Sequence, residues 1–195
     1  MLTAILLRFF QLNAQGTEGS LVYAGINLSA GNYFGIHPKL VFSRQGDIII
    51  GLHYMSYYSK SRNVPSDYSA GLDILGASFP QISVQVFGFT CGKYVSINSR
   101  TGYAFSGGLM YEFYTEPYGF IHQDPGFFNF GSNYTYDLNK GQAVGLLLNP
   151  EYFIVGRNLG TNLGLVIDIN TYRPVFGIEV GIVFGRFRRN SAVSK

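Results

Sequence analysis

The chain of 195 residues carries 14 basic and 11 acidic side chains, with histidines at His37, His53 and His122. Histidine, a hydroxyl and a carboxylate are the parts of a nucleophilic hydrolase, which needs its nucleophile within hydrogen-bond reach of a base. His53 is followed by Ser56 and Ser59, and His122 stands beside Asp124 in "GFIHQDPG". The reaction that such neighbours would allow is acyl hydrolysis or transfer at a lipid surface. The spacing carries it no further. No GxSxG elbow presents a serine on a strand-to-helix turn, and "GRNLGTNLG" at 156 to 164 lacks the strand-to-helix setting of a phosphate loop. Cys91, in "FGFTCGKY", is the single cysteine. It reads as a small packing residue and excludes both an intramolecular disulfide and a CxxC metal site. The histidines are far apart and without metal spacing, so no metal and no cofactor is expected, and the chain reads as a non-enzyme.

The other charges obey a rule of position. In "VFGIEVGIVFGRF" one parity holds Phe176, Ile178, Val180, Ile182 and Phe184, and the other holds Gly177, Glu179, Gly181 and Gly185. "TGYAFSGGLMYEFYT" sets Tyr103, Phe105, Leu109, Tyr111 and Phe113 against Gly102, Ala104, Ser106, Met110 and Glu112. A period of two belongs to strands. By the same alternation His37, Lys39, Asp47, His53, Glu112, Glu151, Asp168 and Glu179 share the face that is not apolar. These eight form an expected interior polar network in which charges pair, since removing one partner of a buried pair costs about 3–5 kcal/mol.

The elements that must position them are strands near 19–30, 33–43, 47–58, 69–78, 82–97, 102–114, 130–138, 142–155, 161–171 and 174–187, punctuated by turn chemistry such as "RQGD" at 44 to 47 and "LNKG" at 138 to 141. That list has ten members. Eight remain if 69–78 belongs to a loop and the N-terminal run pairs only loosely. Two long polar stretches, "SKSRNVPSDYS" from 59 and "EPYGFIHQDPGFFNFGSN" from 116, should lie on one side of a barrel, yet ten strands would separate them by three. The 59 to 81 region is therefore the suspect assignment.

Which face is inside follows from composition. A soluble sandwich or barrel turns its polar face to water and needs many charges there, whereas charged residues are 13% of this chain and aromatics 16%. A polar face made mostly of Gly, Ala and Ser suits a narrow lumen, with the large apolar face toward lipid and tyrosines at the interfaces. The expected fold is all-β, an antiparallel up-and-down transmembrane β-barrel of eight strands, with ten as the alternative. A soluble lipocalin-like ligand-binding barrel shares the period and is the competing fold-level reading. Residues 1–15 resemble an export signal, leaving 16–195 as a single barrel domain. The partners expected are the lipid bilayer of the outer membrane and, through the 116–131 loop, a protein. Tyr118, Phe120, His122, Phe127, Phe128 and Phe130 cluster there, too many rings for an inert loop. Basic residues are scattered, so no nucleic-acid surface is indicated. A lumen this narrow should be closed to ions. On the same pattern Val180→Arg should impair insertion, and a serine at Gly181 should be mild.

Five stretches, "NYFGIHPKLVF", "VPSDYSAGL", "NYTYDLNK", "LLLNPEYFIVGR" and "FGIEVGIVFG", are similar to landmarks of a group of small outer-membrane-type proteins of the bacterial phylum Bacteroidota. The resemblance spans about 32 to 185 and implies location and architecture alone; the role expected of such a barrel is structural or partner-binding, as a subunit of a larger outer-membrane complex. It implies no activity for any residue. The chain departs from the usual barrel ending, because Phe187 is followed by "RRNSAVSK" where an aromatic residue often closes such chains.

Overall fold

Alternating large apolar and small residues build eight antiparallel strands in the computed structural model, which describes residues 21–43, 47–70, 79–98, 100–123 and 132–186. They are β1 (Leu21–Gly31), β2 (Phe34–Ser43), β3 (Ile48–Lys60), β4 (Gln81–Ser96), β5 (Thr101–His122), β6 (Tyr134–Val155), β7 (Leu159–Asn170) and β8 (Val175–Arg186). Each pairs with the next, and β8 returns to β1, from Val22↔Arg186 to Gly31↔Gly177, so the sheet closes into a barrel. Closure leaves no unpaired edge in the wall, which is the condition for strands to cross a bilayer. The residues read as an export signal, 1–15, lie outside the described residues, as do Phe127, Phe128 and Phe130.

Eight strands is the expected number, reached by a different route. The segment at 19–30 does not pair loosely: β1 is hydrogen-bonded on both sides. The reduction comes instead from two changes: the segments at 130–138 and 142–155 fuse into one 22-residue strand, and none of the eight strands lies at 69–78, of which 71–78 fall outside the described residues. "LNKG" is no turn. Leu138, Asn139, Lys140 and Gly141 pair in register with Pro117, Glu116, Thr115 and Tyr114. The glycine that suggested a turn is needed because the Tyr114 ring lies on it, and a Cβ at Gly141 would sit 2.2 Å from that ring. β5 likewise continues through residues 116–122, so the stretch read as a loop is strand. With eight strands both long connections, 61–80 and 123–133, fall at one end. The other end carries both termini of the barrel and the short connections 44–47, 97–100 and 156–158.

The face assignment holds along every strand. Val180 is 58% exposed and Leu109 70%, while Glu179 and Glu112 on the opposite parity are fully buried. On β6 the outward positions from Val144 to Ile154 are apolar or aromatic. At about 3.3 Å per residue and a tilt near 40°, these ten steps climb about 25 Å, the height of a lipid-facing band. Tyr103 opposite Tyr152 marks its lower rim, and Tyr54, Phe87, Phe113 and Tyr111, each 5.1–6.4 Å from the next ring, mark the upper one.

Inside, the lumen is filled in layers. Toward the short-turn end Tyr23 and Tyr94 stand edge-on to Phe153 at 5.4 and 5.9 Å, packed with Leu21, Val41, Ile49 and Val183. Toward the loop end Met55, Tyr57, Val84, Val86, Leu147 and Val166 form a second apolar layer. The polar side chains lie between and beyond.

Candidate functional site

The mid-barrel polar layer is assembled by inward positions of β1, β2, β3, β4, β6, β7 and β8. Glu179 accepts from Asn27 Nδ2 at 3.1 Å, Ser29 Oγ at 2.7 Å and Asn149 Nδ2 at 3.2 Å, and its Oε1 lies 2.6 Å from His37 Nδ1. His37 Nε2 is 2.8 Å from His53 Nδ1, and His53 Nε2 is 2.8 Å from Thr90 Oγ1. With one proton on each ring's Nδ1, an assignment made from the network, the chain donates in one direction: Thr90 to His53, His53 to His37, His37 to Glu179. Beside it Lys39 Nζ and Asn162 Nδ2 both donate to Glu151. Each carboxylate thus has a basic partner and amide donors around it, the arrangement that makes a buried charge tolerable.

A second cluster lies nearer the loop end. The Asn170 amide donates to Glu112 Oε2 at 3.0 Å and Asp168 Oδ1 at 2.7 Å, while its oxygen accepts from the backbone of Tyr172 and Arg173. Here Glu112 Oε1 and Asp168 Oδ2 are buried with no hydrogen-bond partner among the described residues. Above them Glu116 takes the Tyr172 hydroxyl at 2.6 Å and Arg173 Nη2 at 3.0 Å, and Tyr172 stacks on Tyr114 at 3.6 Å.

The structure therefore brings together His37, Lys39, His53, Glu151 and Glu179 in one layer and Glu112 with Asp168 in another. Asp47 belongs to neither. It stands at the short-turn rim, its carboxylate 3.8 Å from Lys93 with both side chains largely exposed, because β3 begins one residue later and the rim position faces water. His53 meets Thr90 and not a serine: Ser56 bonds Tyr58 and Ser59 bonds the Asn32 carbonyl. A hydroxyl, two imidazoles and a carboxylate in line could activate a nucleophile, but Thr90 is fully buried between the two apolar layers. No group of three metal-ligating side chains occurs among the described residues. Sequence reasoning missed Asn27, Ser29, Thr90, Asn149 and Asn162. All have inward parity, so the alternation rule applied to uncharged polar residues finds them.

Beyond the barrel, β5 and β6 run on as a two-stranded ribbon. β4 leaves β5 at Thr115 and β7 leaves β6 at Gly145. The ribbon contains a bulge between Tyr118 and Ile121, where Gly119 takes φ of 63°, a left-handed conformation glycine adopts without strain. The extra residue switches parity. Tyr118 opposes Asp137 on the side continuing the lumen face, while Phe120 and His122 join Tyr134 and Tyr136 on the outward side. Tyr118, Phe120 and His122 are thus in one strand but not on one face. The β3–β4 connection is latched to the ribbon: Asn133 Nδ2 donates to the Asp67 carbonyl, Ser69 N to Asn133 Oδ1, and the Tyr134 hydroxyl to the Asp67 carboxylate at 2.9 Å. That hydrogen bond to Asp67 holds the Tyr134 phenol above its ordinary range.

An outward apolar band, a filled polar lumen and up-and-down closure of eight strands define a small outer-membrane β-barrel. Comparisons with solved structures give the same architecture. The N-terminal β-barrel domain of Pseudomonas aeruginosa OprF aligns with a TM-score of 0.54 at 10% identity, covering 86% of this chain and 97% of that one. Ail, the attachment invasion locus protein of Yersinia pestis, aligns at 0.51 with 9% identity, covering 88% and 100%. No protein-family model and no curated protein sequence matches the chain.

Proposed function

We propose that this protein is a closed, non-conducting barrel of the outer membrane that serves as a rigid anchor for a partner-binding ribbon, and that its interior performs no catalysis. The observation carrying the reading is the sequence of layers along the axis. Apolar rings at both ends of the polar layer leave no continuous row of polar groups for an ion to follow, and eight strands enclose only enough width for side chains. Longer connections of such barrels lie outside the cell and short turns in the periplasm. The ribbon and the 61–80 connection then face the exterior, and the 116–131 region is the segment that would take a protein partner. A source among the Bacteroidota fits the sequence landmarks, and membership of a larger outer-membrane complex is the role that a partner-binding ribbon would serve.

Purified protein in planar bilayers is the test of closure. No sustained current is expected. Reproducible single-channel steps from the unmodified protein would overturn the closed-anchor reading. For the partner, mild-detergent extracts of native membranes should yield a cross-linked companion from the full chain and lose it when residues 119–135 are replaced by a two-residue turn.

A further inference from the structure

The outward face of the ribbon continues the lipid-facing columns of β5 and β6, yet its chemistry changes at a definite height. Gln85 and Gln142 flank Phe113 across three strands, and the next outward row is Thr115 with Lys140. Hydrocarbon ends there. Above it the same parity of β6 turns apolar and then aromatic again, with Leu138, Tyr136 and Tyr134. Phe120, brought to this face by the bulge, lies 5.3 Å from Tyr136 and 6.4 Å from Tyr134. The latched β3–β4 connection adds Tyr68, stacked at 6.2 Å on Tyr134, and Phe79, whose ring carries the Lys60 ammonium at 5.3 Å. The face remains accessible: Tyr136 is 38% exposed, Phe79 40% and Leu138 51%, while Tyr68, Phe120 and Tyr134 are half-buried.

The height selects the occupant. Each residue of a tilted strand climbs about 2.5 Å, so Lys140 stands about 10 Å and Tyr136 about 20 Å beyond Val144, the last position of the continuous apolar row on β6. A phospholipid headgroup adds only about 5–7 Å to the hydrocarbon on each side. It cannot reach Tyr136. A lipid whose head is a chain of phosphorylated sugars can: the C–H face of a pyranose matches the apolar face of an aromatic ring, its hydroxyls match the phenols at the edge, and its phosphates match Lys60 and Lys140, which border the rings on either side.

We infer that the outward aromatic face of the ribbon, with Lys60 and Lys140, is a docking surface for the phosphorylated sugar head of an outer-leaflet glycolipid. The inference rests on the ribbon standing outside the membrane, and the surface shares Phe120 and Tyr134 with the segment whose replacement tests the protein partner; Lys60, Tyr136 and Lys140 lie outside that segment, so their variants read the glycolipid alone.

Native mass spectrometry of the folded full chain in mild detergent tests it, with four probes: rough lipopolysaccharide, lipid A without core sugars, phosphatidylglycerol, and the free core oligosaccharide phosphate. Rough lipopolysaccharide should be retained most, lipid A less, and the other two weakly. The double variant Lys60→Gln/Lys140→Gln should lower retention by roughly fivefold for each lysine, and Tyr136→Ser should reduce rough lipopolysaccharide to the level of lipid A. Heat-modifiable gel migration confirms that each variant remains folded. Equal retention of phosphatidylglycerol, unchanged retention by both variants, or free oligosaccharide held as well as the intact glycolipid would overturn the inference.

Discussion

Replacing Glu179 probes the polar layer at its centre. In Glu179→Ala four donors lose this acceptor at once: one N–H each of Asn27 and Asn149, the Ser29 hydroxyl and His37 Nδ1, while Asn149 keeps its bond to the Leu165 carbonyl at 2.8 Å. Breaking a buried pair from one side costs about 3–5 kcal/mol, with each orphaned neutral donor adding up to about 1–3 kcal/mol unless it finds another partner. Ser29 can turn, but the two asparagines sit in fixed strands, so about 4 kcal/mol is the expected loss. Against a denaturant slope near 2 kcal/mol per molar, the urea midpoint should fall by about 2 M. Glu112→Gln is the control. Among the described residues that carboxylate has a single donor, Asn170, and one oxygen already without a partner, so its replacement should cost no more than about 1 kcal/mol. Unfolding in lipid vesicles, followed by heat-modifiable gel migration, measures both, and Glu179→Gln serves if the alanine variant does not insert. Equal midpoints for the Glu179 and Glu112 variants would refute the idea that the number of satisfied donors decides which acid holds the lumen together.

Three further outcomes are expected. Val180→Arg, at the middle of an outward row, should impair insertion by about 2–4 kcal/mol, and normal membrane incorporation of that variant would argue against lipid contact there. Gly181→Ser should be as damaging instead of mild, because a Cβ at Gly181 would meet Asn27 Oδ1 at 1.9 Å and the Ile26 carbonyl at 2.6 Å; the loss of the folded band on unboiled gels reads it out. The latch should open in alkali. Tyr134 donates to Asp67 in its neutral form and its folded pKa is raised, so the contribution is complete below the phenol's ordinary value near 10 and is lost as pH climbs through the folded value. Proteolysis within residues 61–80 should accelerate in that window, and Tyr134→Phe should show the faster rate already at neutral pH.

The period of two was legible because barrel walls impose it residue by residue, and it placed His37, Lys39, His53, Glu112, Glu151, Asp168 and Glu179 inside without any long-range information. Pairing partners were not legible. Which donor meets Glu179 depends on register across β1, β2, β6 and β8, a relation between residues up to 152 positions apart. Asp47 misled because parity continues through a strand end where burial does not. Gly141 misled because a glycine signals a turn and a close ring packing with the same letter; only the position of Tyr114 tells them apart.

Closure by β8 onto β1 also sets the order of assembly. Ala24 must wait for Phe184, its partner across the seam, so the first strand carries an open edge for as long as the rest of the wall takes to form. Contacts of such sequence separation come late and slowly. During that interval β1 and the growing end of the sheet are both templates for foreign strands. The seam is therefore the point at which the nascent chain depends on being handed to a membrane without delay, and a chain cut short before Val175 would keep two sticky edges permanently.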